Sequence, residues 1–392
     1  MEWMEQELAA LADKALERQL RDSAPIAGRP GFIIRDGQEL LDLSSNDYLG
    51  LAQHPAIIEA MRTALAADGA GSGASRLVTG NRPPYRKLEQ ALASWQGTDA
   101  ALVAANGYMA NTGVISALVG RGDAVFSDRL NHASIVDGIT LSRADHARYR
   151  HNDLEHLRHL LDKHRGARRK LIVTDTIFSM DGDQALLPEL VALKEQYGAM
   201  LMVDEAHSGG IYGTRGEGLC HALGIQNDID VHMGTFSKAF GVYGAYVSGS
   251  RTLIRWLINK ARPFIYSTAL PPAVVAGISQ ALQLVQTEHG RRQRLLAAGL
   301  KFRSALQDAG FQVGEGNSPI VPVIIGDNGL ALAFSAALQA SGIAAVAIRP
   351  PTVPEGTARI RFSLSAAHSD DALQDAARHI RSLGIEMGVL KQ

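Results

Sequence analysis

Short, wholly apolar runs that alternate with stretches of helical spacing constrain this chain more than any other feature of it. Ala101-Leu-Val-Ala, Ala124-Val-Phe-Ser, Leu171-Ile-Val-Thr and Leu201-Met-Val lead in turn to Asn106, His132, Asp175 and Asp204. A run apolar on both faces is the mark of a strand buried in a parallel sheet. Its alternation with helices from Ala100 onward predicts an α/β fold, a mostly parallel sheet with helices on both faces. In open sheets of this kind ligands lie at the carboxyl ends of the strands, which is where Asp175 and Asp204 are expected.

Asp204 is followed by Glu205-Ala206-His207, so a carboxylate and an imidazole emerge together at one strand end. About thirty residues on, Asp230-Val-His-Met-Gly-Thr-Phe-Ser-Lys-Ala-Phe-Gly241 places Lys238 among Phe236, Ala239 and Phe240. Partial desolvation favours the neutral amine, which can attack a carbonyl, and Thr235 and Ser237 could hold an anion beside it. An aspartate facing a pyridinium nitrogen keeps that ring protonated and electron-accepting. Asp204, His207 and Lys238 together therefore form a pyridoxal phosphate constellation. Taken singly, Lys238 also reads as a snorkelling lysine, Asp204 as a helix cap and His207 as a structural histidine.

Seven segments carry a resemblance: Ser44-Ser-Asn-Asp-Tyr-Leu-Gly50, Asn106-Gly-Tyr-Met-Ala-Asn111, Asn131-His-Ala-Ser134, Phe178-Ser-Met-Asp-Gly-Asp183, Val203-Asp-Glu-Ala-His207, Thr235-Phe-Ser-Lys238 and Ile348-Arg-Pro-Pro-Thr-Val-Pro354. In these, and in their order, the chain resembles the α-oxoamine synthases, a branch of the fold-type I pyridoxal phosphate enzymes. Arg349-Pro-Pro-Thr-Val-Pro354 resembles the biotin-pathway members in particular, which condense L-alanine with a pimeloyl thioester of coenzyme A or acyl carrier protein. The resemblance implies a homodimer with shared active sites. It gives Lys238 as the cofactor lysine, Asp204 at the ring nitrogen, His207 at the phenolic oxygen and His132 stacked on the ring. Gly107, Tyr108, Ser179 and Thr235 would help hold the cofactor, with Thr268 supplied by the neighbouring protomer. Arg21 and Thr352 fall on the acyl-donor side, and Asn46 and Arg361 at the amino acid's carboxylate. Ser237 and Ala239 replace glycines found in some members, and Asp175 a glutamate. A synthase using glycine or serine is the alternative; an aminotransferase leaves the acyl-side motifs without a task, and a non-catalytic protein would have lost the lysine or its ring partner.

Residues 1–50 read as an N-terminal helix and hairpin segment, 51–285 as the cofactor-binding large domain and 286–392 as a smaller C-terminal α/β domain. Trp3, Leu8, Leu11, Ala15 and Leu16 recur at helical spacing, and Asp36-Gly37 between apolar runs signals a hairpin. Backbone amides after Asn106, with Gly107 allowing close approach, suit a phosphate at a helix N-terminus. The glycine-rich stretch Gly69–Gly80 lacks the preceding strand and following helix of a dinucleotide site. On Ala358-Arg-Ile-Arg-Phe-Ser-Leu, Arg359 and Arg361 share one face of a strand. A net charge of -1 argues against nucleic acid, and the single cysteine, Cys220, excludes an internal disulfide framework, suits a reducing compartment and weakens a zinc reading. The five histidines from His146 to His164 read as a solvated helix face, so no metal is expected. With no membrane-length apolar run and no signal-peptide core, the expected location is cytoplasmic.

Overall fold

The computed structural model describes residues 1–390. By internal contacts the chain divides into two compact units, one of residues 51–178 and 184–292, the other of residues 1–50, 179–183 and 293–392. The N-terminal segment, read from sequence as a piece of its own, thus belongs with the C-terminal residues.

The larger unit is built on a seven-stranded sheet in the order Ala100–Ala104, Ala245–Gly249, Val231–Thr235, Met200–Asp204, Lys170–Asp175, Ala124–Asp128, Asp145–Tyr149. Ala245–Gly249 runs antiparallel to both neighbours, and the remaining neighbouring pairs are parallel. The expectation of a mostly parallel sheet is met, for the reason its sequence suggested: Leu171, Ile172, Leu201, Met202 and Val203 are fully buried. Val114, Ile115, Ile135 and Ile139 pack on this sheet from the helices Gly107–Leu118 and Ala133–Ser142. The register sets Asp175 opposite Asp204, and Asp204 opposite Met233, so the strand ends line up. Helix Leu154–Lys163 buries Leu157 and Leu161. Its neighbouring histidines take separate partners: His156 accepts from the Arg150 amide, His164 bonds the Leu160 carbonyl, and His151 pairs with buried Asp128.

The smaller unit holds the hairpin Phe32–Arg35 and Gln38–Asp42, whose turn uses Asp36 and Gly37 at φ of 52° and 76°, the left-handed pair a two-residue turn requires. The apolar stretch Ile343 to Ile348 holds two strands: Ile343–Ala344 adds in parallel to Gln38–Asp42, while Val346–Ile348 pairs with Ala358–Ser363. The N-terminal helix spans Glu2–Asp13, shorter than its apolar spacing suggested, because Ala15 takes a φ of 53°. It buries none of its residues, and Trp3, Leu8 and Leu11 stay exposed. Among the described residues no helix is long and apolar enough to cross a membrane.

Candidate active site

The aligned strand ends of the larger unit open into a cavity of about 350 Å³, of the size that small-molecule sites occupy. Asp204, His207, Lys238, His132, Thr235, Gly107 and Tyr108 all line it. Residues more than a hundred positions apart in the chain thus meet because each follows a strand of one sheet.

Asp204 is only 3% exposed, and both of its carboxylate oxygens are held: Oδ1 by the Ala206 amide at 2.8 Å, Oδ2 by Asn111 Nδ2 at 2.8 Å. The same Asn111 amide donates to Ser134 Oγ at 2.9 Å. Lys238, half-buried, places Nζ 2.7 Å from His207 Nε2. His132 caps the helix Ala133–Ser142; its Nδ1 lies 2.7 Å from Ser134 Oγ, and its main-chain N–H donates to Asp175 Oδ2 at 2.7 Å. His132 is exposed overall, though protein crowds its ring. That crowding pushes its pKa below 6.5; the Asp204 charge opposes the shift and Lys238 adds to it. Burial, with the Asp204 charge beside it, drives the Asp175 carboxyl well above the usual carboxylate range.

These residues fit pyridoxal phosphate. Asp204, with both oxygens fixed, offers the charge that a protonated ring nitrogen pairs with, while burial foremost and the Asp204 charge next hold the neighbouring Asp175 well above the usual carboxylate range. Asn106 caps the helix Gly107–Leu118 through Met109 N–H at 2.9 Å, leaving the first-turn amides at the positive end of the helix. A Cβ at Gly107 would reach to 3.8 Å from Thr235 and begin to fill that cradle. Thr235 Oγ1 donates to the Gly244 carbonyl at 2.9 Å, and Ser237 Oγ does so at 3.4 Å, so both hydroxyls also brace the loop around Lys238. The Tyr108 phenol, exposed, donates to Asp137.

Other expected residues lie outside this cavity. Thr268 is exposed, and it lines a separate space of about 40 Å³ with Arg76 and Phe264 while forming an isolated bridge to Ser75. In the smaller unit, Arg361 is 6% exposed and is held by Asn46 Oδ1 and Tyr48 Oη, each at 3.2 Å, by Ser363 Oγ at 2.6 Å and by the Ser179 carbonyl. All these partners are neutral, and among the described residues no carboxylate pairs with Arg361. Its strand neighbour Arg359 is neutralised by Asp181 at 2.5 Å. Ser179 therefore meets Arg361 through its backbone. Arg21 donates to Gln339 at 3.3 Å and, with Arg35 and Arg349, lines a cavity of about 490 Å³; Thr352 accepts from Arg18 at 3.3 Å. Asn111 was not singled out from sequence: an asparagine inside an apolar helix signals its role only once Asp204 is known to lie beside it.

Residues 38–380 match the family model for aminotransferase class I and II. The chain is 53% identical over 378 residues to a putative 8-amino-7-oxononanoate synthase of Geobacillus kaustophilus, covering 96% of each chain. It is likewise 53% identical to an 8-amino-7-oxononanoate synthase of Anaeromyxobacter dehalogenans, covering 95% of this chain and 93% of that one. Among solved structures, a serine palmitoyltransferase from S. paucimobilis with a bound pyridoxal phosphate–myriocin adduct superposes with a TM-score of 0.92 at 33% identity, over 99% of this chain and 98% of that one. An 8-amino-7-oxononanoate synthase from Francisella tularensis does so with a TM-score of 0.78 at 28% identity, over 90% and 99%. With the lysine, aspartate and two histidines gathered at the strand ends of this fold, the chain belongs to the α-oxoamine synthases, pyridoxal phosphate enzymes of fold type I within the class I and II aminotransferase family.

Proposed function

We propose that the protein condenses L-alanine with a pimeloyl thioester, releasing carbon dioxide and the carrier thiol and yielding 8-amino-7-oxononanoate for biotin synthesis. The convergence of the Lys238 amine, His207 and the Asp204 carboxylate in one cavity carries this reading. The names of the relatives at about half identity supply its substrates.

Pyridoxal phosphate, when bound, supplies the electron sink that makes the amino acid's Cα acidic. Lys238 would hold the cofactor at rest and, when free, would remove the amino acid's Cα proton, with His207 within hydrogen-bond reach to steady the amine. Asp204, fixed by Asn111 and the Ala206 amide, would keep a proton on the ring nitrogen. His132, its pKa lowered by its setting, would lie against the cofactor ring without adding a positive charge that competes with Asp204. The amides of Gly107 and Tyr108, with Thr235, receive the phosphate. Arg361 and Asn46 take alanine's carboxylate: a buried guanidinium among neutral partners is ready for an anion, which it can hold bidentately. Arg21 and Thr352 are assigned to the acyl donor, and Ser179 to the support of Arg361. The working form is a homodimer in the cytoplasm, and Thr268 reaches the neighbour's cofactor.

A synthase that uses serine or glycine is the second reading, favoured by the high superposition with serine palmitoyltransferase. Purified enzyme offered alanine, glycine and serine, each with a panel of acyl thioesters, separates the two. Highest kcat/KM for alanine with a pimeloyl thioester supports the proposal, and preference for serine with a long-chain acyl thioester overturns it.

A further inference from the structure

Just past the strand that ends in Asp204, three residues distant in sequence each bring a donor atom to one fully buried spot. Glu205, Cys220 and His232 are all 0% exposed, and their donor atoms lie within 4.8 Å of one another. Glu205 follows the strand Met200–Asp204, Cys220 sits on the helix Leu219–Ala222, and His232 belongs to the strand Val231–Thr235. None of the three lines the cofactor cavity.

His232 Nε2 lies 3.0 Å from the Gln226 carbonyl oxygen, which can only accept. The proton of the neutral ring is therefore on Nε2, and Nδ1 presents its lone pair inward. It faces Glu205 Oε2 at 3.6 Å, and neither atom has a hydrogen-bond partner among the described residues. Glu205 Oε1 is held by the Cys220 amide at 3.1 Å. The Cys220 thiol lies against the Glu205 carboxylate, but between Oε2 and Nδ1 themselves no donor is placed, and two buried acceptors that face each other in this way are costly unless something positive lies between them.

We propose that Glu205, Cys220 and His232 form a structural site for a divalent transition metal, zinc foremost, bound through a carboxylate oxygen, Sγ and Nδ1. The 3.6 Å between Nδ1 and Oε2 is already close to the roughly 3.4 Å that tetrahedral zinc needs between ligands bonded at about 2.0–2.1 Å. A backbone carbonyl on the far ring nitrogen is the usual orienting partner of a metal-bound histidine. The mixed sulfur, nitrogen and oxygen set selects zinc over calcium or magnesium. A dication also balances the thiolate and carboxylate, so no net charge is buried, and the thiol's proton leaves to solvent on binding. The three side chains leave the fourth tetrahedral position to a water or hydroxide. The metal would tie together two adjacent strand segments and the helix beside them, and so stiffen the mount of Asp204 without taking part in the reaction.

The test is the metal content of the holoenzyme, produced in zinc-supplemented medium and dialysed against EDTA, with His232→Gln and Cys220→Ser prepared alongside. The wild type is expected to retain about one zinc per chain, with one sulfur in the zinc-edge absorption spectrum, and each variant at least ~10-fold less while keeping the cofactor's absorbance. Wild-type zinc below about a tenth of an equivalent, both as purified and after refolding with zinc present, overturns the site. So do variants that hold zinc as the parent does. The wild-type measurement stands even if a variant does not fold.

Discussion

Asp204 and Lys238 share a cavity and serve different steps, so their substitutions should fail differently. Asp204→Asn can keep an acceptor for the Ala206 amide and nearly the same shape, but it puts an NH2 where an oxygen accepted from Asn111 and loses the charge that balances the ring's proton. It should retain the cofactor and bind alanine, with the defect in alanine Cα–H exchange and kcat, since the interaction matters most as charge develops. Lys238→Ala should lose the covalent hold on the cofactor and, through missing acid–base catalysis alone, ~10²–10⁴-fold in turnover; borohydride reduction of the parent should label Lys238 and no other lysine. Exchange as fast in Asp204→Asn as in the parent would remove Asp204 from its assigned place. At this scale Lys238, Asp204 and His207 were legible because each follows a buried strand, and strand ends are where the fold gathers ligands. Asn111 was not, because its contact with Asp204 spans 93 positions and leaves no periodicity. Thr268 lies outside the cavity of its own chain, so its assigned role depends on a second protomer.

Elements were legible where burial decides them and illegible where a single backbone torsion or a partner strand does. The apolar runs became strands as read, whereas Ile343 to Ile348 was divided between two sheets, because alternate segments of one apolar stretch found partners on different strands. The first helix ends at Asp13, a boundary fixed by the positive φ at Ala15 that apolar spacing cannot convey. The helix Gly107–Leu118 starts where Asn106 predicted, and its cap is its testable part. Asn106→Ala removes the bond to Met109 N–H and should cost about 1 kcal/mol of stability in denaturant titration. Cofactor release should quicken with it, because the same turn supplies the amides assigned to the phosphate. A variant as stable as the parent, with unchanged cofactor retention, would show that the cap sets neither.

For the molecule as a whole, His368 gives stability a pH dependence of known sign. Burial pushes its pKa down from 6.5 to about 4, while its Nδ1 accepts the Ser365 amide at 3.1 Å. The folded form therefore binds fewer protons than the unfolded form between those values. Its contribution is fully present above pH 6.5 and is lost as pH falls toward 4, on the order of 3 kcal/mol across the window. His368→Asn, which keeps an acceptor but cannot titrate, should flatten that part of the urea-midpoint profile; an unchanged slope would place the acid sensitivity elsewhere. The proposed condensation is likewise tested on the whole enzyme. Its most direct measurement follows the carboxyl carbon of labelled alanine during turnover with a pimeloyl thioester. The label should leave as carbon dioxide in step with each thiol released and be absent from the product, whereas label retained in the product, or thiol released without it, would contradict a decarboxylative condensation.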